Sequence, residues 1–283
     1  MKKKERIDVL LVEQGLCETR ERAKRAVMAG LVYIQEERVD KAGEKVDVTT
    51  KLTVKGDVMP YVSRGGYKLE KAIKEFHIDC KDKTLIDIGS STGGFTDCAL
   101  QNGAKLSYAV DVGYNQLAWK LRQDERVEVM ERTNFRYCTM ENFAKGQPNL
   151  ASIDVSFISL RIILPVLREI ISDDGDILAL VKPQFEAGKD QVGKKGIIRE
   201  KKVHNDVVTK MIDFTLKTGF DVHNITFSPI KGGDGNIEFL MHLKKAPSSS
   251  VEGTNYWKDT VARLVDNAHD SLKKVNEGAD SNV

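Results

Sequence analysis

Apolar positions change rhythm along the chain. In residues 1–60, Ile7, Leu10, Leu11 and Leu16 recur at helical spacing and predict a short amphipathic helix. Thr19 is placed to cap a second helix, TRERAKRAVMAG, with Gly30 as its stop. LVYIQEERV (31–39) alternates as a strand, and VTTKLTV (48–54) reads as another. Together these make a small α+β unit, followed by a linker at 61–63 just after Pro60. From 64 to 245 the pattern alternates strand and helix. Strands are predicted at 84–88, 106–110, 127–130, 151–155, 176–181, 222–227 and 237–243, and a long helix at 201–218. Such alternation implies an α/β fold with a mostly parallel, seven-stranded sheet covered on both faces. The last two strands are separated only by 228–236, which contains GGDGN, so the final strand is expected to run antiparallel. Residues 246–283 open with a PSSS linker. Trp257, Val261, Leu264, Val265, Ala268, Leu272 and Val275 then mark a helical tail, either docked on the body or free for a partner.

The stretch LIDIGSSTGGFTDCAL (85–100) is a strand that breaks into a small, glycine-rich turn before a helix. A phosphate-binding P-loop would follow its last glycine with Lys and Ser or Thr; here Phe95 and Thr96 follow Gly94. The dinucleotide fingerprint needs a central glycine where this chain has Ser91. A nucleoside without phosphate fits better. Asp111 ends the next strand, where a carboxylate can take both ribose hydroxyls, and Asp87 is placed to orient an amino-acid moiety. The combination suggests S-adenosylmethionine (SAM), held by Asp87, Gly89, Ser90, Ser91, Thr92, Gly93, Gly94, Phe95 and Asp111, with Asn134 meeting the adenine.

Composition narrows the class. Of 283 residues 41% are hydrophobic, enough for a sizeable core, and the net charge is only +2, so any basic surface must be local. Cys17, Cys80, Cys98 and Cys138 lie far apart and read as reduced thiols. The basic start MKKKERIDVLLVEQGL is interrupted by Asp8 and Glu13 and lacks a cleavage site, so it does not read as a signal peptide. No apolar run approaches the ~18 residues of a membrane span. The expected location is the cytoplasm, with no membrane partner. The five histidines show no metal-ligand spacing, and nothing in the pattern sets an oligomeric state.

The motifs YVSRGGYKL, DIGSSTGGFTD, DVGYNQL, ASIDVSFISL, LVKPQFEAG and GNIEFL stand in one order over about 4–245. In this the chain resembles the TlyA family, often labelled hemolysin A. Its catalytic domain is similar to the FtsJ type of RNA 2′-O-methyltransferase, and an S-four-type RNA-binding domain precedes it. The resemblance implies a Rossmann-like, SAM-dependent methyltransferase at 64–245 behind an RNA-binding domain at 1–60. It also implies cytidine 2′-O-methylation of ribosomal RNA, with rRNA or ribosomal subunits as partners. The FtsJ-type Lys-Asp-Lys-Glu tetrad falls on Lys68, Asp154, Lys182 and Glu238. Residue patterning agrees: Asp154 and Lys182 end adjacent predicted strands, where open α/β sheets bind ligands. A lysine closing the apolar run DILALVK is costly unless paired or functional. Lys182 is the candidate base for the ribose hydroxyl; burial and Lys68 would lower its pKa, while Asp154 and Glu238 would hold the geometry. Glu238, opening the last strand, is expected at the cluster's edge, and Lys71, one turn beyond Lys68, is an alternative to it.

Arg20, Arg22, Lys24 and Arg25 gather on the second N-terminal helix and suit RNA phosphates, as does Arg64 in SRGGYK; interspersed Glu18 and Glu21 also fit an ordinary solvated face. The segment 185–199, rich in Gly and Lys, reads equally as a loop over RNA or a solvated connection. Three functions compete with the main reading. A non-enzymatic assembly protein would not need the tetrad, and a pore-forming hemolysin would need a membrane-active segment. A small-molecule methyltransferase would not need the N-terminal unit.

Overall fold

The computed structural model describes residues 3–56, 59–246 and 257–279. The chain divides into two compact units, Met1–Pro60 and Tyr61–Val283. The smaller contains β1 (Lys4–Arg6), α1 (Ile7–Glu13), α2 (Arg20–Met28), β2 (Val32–Ile34), β3 (Glu37–Arg38), β4 (Lys45–Asp47) and β5 (Leu52–Val54). Strands β1 and β4 pair antiparallel, and β2 lies between β3 and β5 in a three-stranded sheet. Ile7, Leu10 and Leu11 from α1 meet Ala23, Ala26 and Val27 from α2 in its core. The Thr19 hydroxyl caps α2 by accepting from the Arg22 amide at 3.2 Å. Two expectations change here, and one pairing was not foreseen. Leu16 lies beyond the end of α1 and is exposed. The single strand predicted at 31–39 is a hairpin, broken where Gln35 turns left-handed at φ +56°. The short β1–β4 pair carries too little alternation to be seen in the sequence.

The larger unit contains α3 (Gly65–Phe76), β6 (Thr84–Ile88), α4 (Gly94–Gln101), β7 (Leu106–Val110), α5 (Trp119–Arg122), β8 (Val127–Met130), β9 (Leu150–Ile153), α6 (Leu160–Ile170), β10 (Asp176–Val181), α7 (Pro183–Glu186), α8 (Lys201–Lys217), β11 (Phe220–Phe227), β12 (Phe239–Lys245) and α9 (Lys258–Ala279). The seven strands run in the order β11-β12-β10-β9-β6-β7-β8, parallel except for β12, which pairs antiparallel with both neighbours. Side chains alternate between two covered faces. Ile177, Ala179 and Val181 pack with Leu164, Met211 and Val265 on one; Leu178 and Leu180 pack with Leu69 and Cys98 on the other. All four cysteines are free and buried.

Residues 61–63, expected as a linker, are packed into this unit. Tyr61 is buried, and the Val62 amide donates to Asp97 Oδ2 at 2.9 Å. Gly66 packs so closely on the Tyr61 ring that a Cβ there would overlap it. Strand β9 stops at Ile153 and β12 starts at Phe239, shifted from the expected 151–155 and 237–243. The tail is a docked helix: Trp257, just before α9, and Val261, Val265, Ala268 and Leu272 of α9 are buried in the core with residues of α8. The PSSS linker and the Val275 side chain lie outside the described residues.

Candidate active site

The chain runs from β6 outward to β7 and β8, then returns to place β9 on the other side of β6. This reversal is a topological switch point, and open α/β sheets bind ligands at the carboxyl ends of the strands there. The turn after β6 and the segment after β9 meet at that point. Gly89 has φ +84°, and a Cβ on it would lie 2.5 Å from the Asp154 carbonyl oxygen. Only glycine fits both the conformation and the contact.

The four tetrad residues converge here. Lys68, on α3, places Nζ 2.7 Å from Glu238 Oε2 and 3.3 Å from Asp154 Oδ2. Lys182, capping α7 where Pro183 ends the strand, places Nζ 2.5 Å from Asp154 Oδ1. The order is Glu238–Lys68–Asp154–Lys182, with charges alternating. The contacts of Lys68 with Glu238 and of Lys182 with Asp154 are ion pairs whose angles fall outside hydrogen-bond alignment. Burial opposes the charge on Lys68, but Asp154 and Glu238 outweigh it and hold the ammonium above the ordinary lysine range. Burial pushes the Glu238 carboxyl up, and although Lys68 pulls it back the net direction is upward. Glu238 precedes β12 and is 2% exposed, so although it ends the row of four it is enclosed and not peripheral.

Lys71 does not belong to the cluster. Its Nζ donates to the Phe227 carbonyl at 2.8 Å, sits over the Phe227 ring and pairs with Glu75. It shares a face of α3 with Lys68 but lies one turn lower.

The expected cofactor residues separate into two groups. Gly89, Ser91, Thr92 and Asp111 form an open lip, where Asp111 accepts from the Ser91 and Gly113 amides at 2.8 and 2.7 Å. Each carboxylate oxygen keeps a free lone pair for a ligand hydroxyl. Ser90, Gly93, Gly94 and Phe95 are buried and shape the turn from beneath. Asp87 is wholly enclosed. It accepts from the Thr96 amide and hydroxyl at 3.0 and 2.8 Å and from the Ser152 hydroxyl at 2.9 Å, and burial raises its pKa to about 6. It ties α4 and β9 to β6 and presents no free surface for a ligand. Asn134 Oδ1 accepts from the Arg136 amide at 3.2 Å, which orients its remaining amide.

Several residues that sequence reasoning missed complete the rim. Glu131 accepts the amides of Asn115, Gln116 and Leu117 and pairs with Arg122. Burial opposes its charge, but these donors outweigh it and hold it at about 2. This staples the loop after β7 to the end of β8 and leaves Val112 exposed beside Asp111. Arg132 lies over the exposed Tyr114 ring and Arg136 over that of Tyr137. Phe157, 91% exposed with φ +63°, leans on Phe185 at 5.1 Å, next to Lys182. Ser156 receives a hydrogen bond from Lys182 at 3.0 Å. The glycine turn and Asp111 were legible from the motif; these partners are set by loop geometry that no spacing encodes.

The N-terminal basic residues have mixed roles. Arg20 joins Arg6 in holding the buried Asp8, whose pKa falls to about 2 through the Arg6 hydrogen bond foremost, so Arg20 is partly structural. Arg22 pairs with Glu18 and Lys24 with Glu21 on the surface, and the Arg25 guanidinium reaches the Pro60 carbonyl. Arg64 is exposed at the start of α3.

Comparison with known proteins places the chain in a family. The FtsJ-like methyltransferase model matches residues 61–245 and the S4 domain model residues 5–51. The chain belongs to the FtsJ-like methyltransferase family, with an S4 domain ahead of the catalytic one. It is 41% identical over 266 residues to the 16S/23S rRNA (cytidine-2′-O)-methyltransferase TlyA of Mycobacterium tuberculosis, covering 94% of this chain and 98% of that one. It is 65% identical over 272 residues to the Bacillus subtilis protein YqxC, named as a candidate rRNA methyltransferase, covering 96% of each. A solved structure from Streptococcus thermophilus, named as a candidate hemolysin, superposes with a TM-score of 0.75 at 55% identity, over 98% of this chain and 100% of that one. No described helix is long and apolar enough to cross a membrane.

Proposed function

We propose that this protein transfers a methyl group from SAM to a ribose 2′-hydroxyl of ribosomal RNA, at a cytidine, with Lys182 as the base. One observation carries the reading: the alternating cluster Glu238–Lys68–Asp154–Lys182 is assembled at the switch point, against the glycine turn. The relatives named as rRNA (cytidine-2′-O)-methyltransferases point to the same substrate, and the S4 domain suits capture of rRNA or a ribosomal subunit in the cytoplasm.

The donor set fits SAM. Asp111 offers a carboxylate at a strand end for ribose hydroxyls, Val112 an apolar face beside it, and Asn134 an amide for the adenine edge. The turn Gly89–Gly94 offers backbone without a phosphate-binding lysine. When bound, SAM supplies a methyl group already activated on a sulfonium. The residues then have two tasks, positioning and proton removal. Lys182 Nζ takes the 2′-hydroxyl proton. Asp154, held by Lys68, stabilises the ammonium that forms, and Glu238 keeps Lys68 in place. The exposed Phe157 and the Arg–Tyr pairs on the rim suit unstacked nucleotides.

The test is single-turnover methylation of rRNA from cells lacking this gene, with methylated positions mapped. Lys182→Ala should abolish transfer with SAM binding and folding intact. Lys182→Arg should be nearly as inactive, because a guanidinium stays protonated. A Lys182→Arg enzyme with near-normal rates would make Lys182 a charge clamp and overturn its assignment as base.

A further inference from the structure

Lys182 lies closest to Asp154, yet its aligned hydrogen bond goes elsewhere, from Nζ to Ser156 Oγ at 3.0 Å. We infer that Ser156 is a positioning residue that aims the lone pair of Lys182 at the ribose 2′-hydroxyl. The inference rests on the reading of Lys182 as the base.

The reason is stereochemical. A neutral primary amine carries two N–H bonds and one lone pair around a tetrahedral nitrogen. Asp154 alone would engage one N–H and leave the other N–H and the lone pair free to exchange corners by rotation about Cε–Nζ. A second acceptor removes that ambiguity. With Ser156 Oγ fixing one N–H, and the charge of Asp154 at 2.5 Å, though out of hydrogen-bond alignment, favouring the other N–H on its side, the lone pair takes the remaining corner. In the reaction the O2′–H bond breaks and its proton passes to Nζ. The electron pair of O2′ forms the new O–C bond to the methyl of the sulfonium donor, which leaves as a neutral thioether. The resulting ammonium keeps both partners throughout. Asp154 supplies opposite charge and Ser156 supplies direction.

The surrounding backbone is built to hold Ser156 in this role. Phe157, the next residue, has φ +63°, a conformation that a bulky side chain adopts only where its surroundings impose it. Here the imposing contacts come from the segment that follows Lys182. Glu186 Oε2 accepts the Ser159 hydroxyl at 2.6 Å, and Glu186 Oε1 accepts the Leu160 amide at 2.7 Å. Phe185 meets Phe157 at 5.1 Å between ring centroids. The segment after Asp154 and the segment after Lys182 are thus fastened at three points, of which Ser156–Lys182 is the one nearest the chemistry.

The experiment compares Ser156→Ala, Ser156→Thr and Ser156→Val in the full-length protein, using rRNA from cells lacking the gene and labelled SAM. Ser156→Ala should lower the rate at saturating substrates about tenfold, with the KM for rRNA and the Kd for SAM changed less than about twofold. Ser156→Thr, which keeps the hydroxyl, should restore most of the rate. Ser156→Val, of the same shape without it, should stay as slow as Ser156→Ala. A loss confined to KM would make Ser156 an RNA contact and overturn the inference, as would an unimpaired Ser156→Ala or equal rates for the Thr and Val variants. Lys182→Arg, measured alongside, separates the two levels. If it is inactive while Ser156→Ala is normal, only the role of Ser156 falls; if it is active, the base assignment falls first.

Discussion

Glu238 shows how burial alters a residue's weight. Its place before the last strand suggested a peripheral role, but it is enclosed against Lys68, and a Cβ on Gly232 would lie 2.5 Å from its Oε1. Removing one partner of a buried ion pair leaves the other charge uncompensated. Glu238→Ala should therefore cost about 3 kcal/mol of stability and most of the methyl-transfer rate, while Glu238→Gln, which keeps the shape, should lose less of both. Denaturant unfolding beside a transfer assay checks this; an Ala variant as stable as wild type would make the ion pair energetically idle. Legibility at this scale followed chemistry more than geometry. Asp154 and Lys182 stood out because charge at the end of an apolar strand needs a reason. Lys68 and Lys71 could not be separated, since both project from one face of a helix and only the position of the sheet edge decides. Asp87 was expected to meet a ligand, but nothing in its neighbours revealed that Thr96 and Ser152 would close over it.

The C-terminal helix α9 docks on α8 through apolar contacts, an exposed Lys201–Asp266 ion pair at 2.6 Å and a buried pair of histidines. His204 Nδ1 of α8 meets His269 Nε2 of α9 at 2.9 Å. Burial, reinforced by the charge His269 can carry, depresses the His204 pKa to about 4. Burial also lowers that of His269, with Lys201 and Lys273 adding to the effect and Asp266 and Asp270 opposing it. The unfolded chain takes up a proton near the ordinary value of about 6.5 that the native His204 refuses. The contribution is therefore complete above about pH 6.5 and is lost as pH falls toward 4, on the order of 3 kcal/mol in all. Thermal unfolding from pH 7.5 to 4.5 should show the melting temperature falling with acidification, and His204→Leu should flatten that slope. An unchanged slope in the variant would remove His204 from the account. The helix itself was plain in the spacing of Val261, Val265 and Leu272, because a continuous apolar stripe needs only periodicity to be seen. The histidine pair was not, because it joins residues 65 positions apart. The hairpin at Gln35 escaped for a related reason: a single left-handed residue reverses a strand without altering its alternation.

Over the whole molecule, the division at Pro60 would, on the proposed function, separate capture from chemistry. Each unit has its own core, and every member of the catalytic cluster lies in Tyr61–Val283. Deleting residues 1–60 should leave SAM affinity within about twofold while weakening rRNA binding at least about tenfold, with a shallower dependence on salt as phosphate contacts are lost. Calorimetry with SAM and filter binding with rRNA at several ionic strengths test both halves; undiminished rRNA affinity would shift the RNA-binding role to the larger unit. The two-unit plan was readable in sequence because the hydrophobic rhythm changes between them. The exact border was not, since Tyr61 and Val62 look like linker until Gly66 and Asp97 are seen to receive them.

Gly89 and the Asp154 carbonyl share a wall with no space between them. On the proposed roles, the turn that would face SAM and the residue that would serve the ribose hydroxyl meet backbone to backbone. A lineage that drifted at the turn would carry its acid–base geometry along with it. A side chain at position 89 would displace Asp154 as well as the turn, so on the proposed roles this one contact ties cofactor fit to the geometry at the ribose hydroxyl.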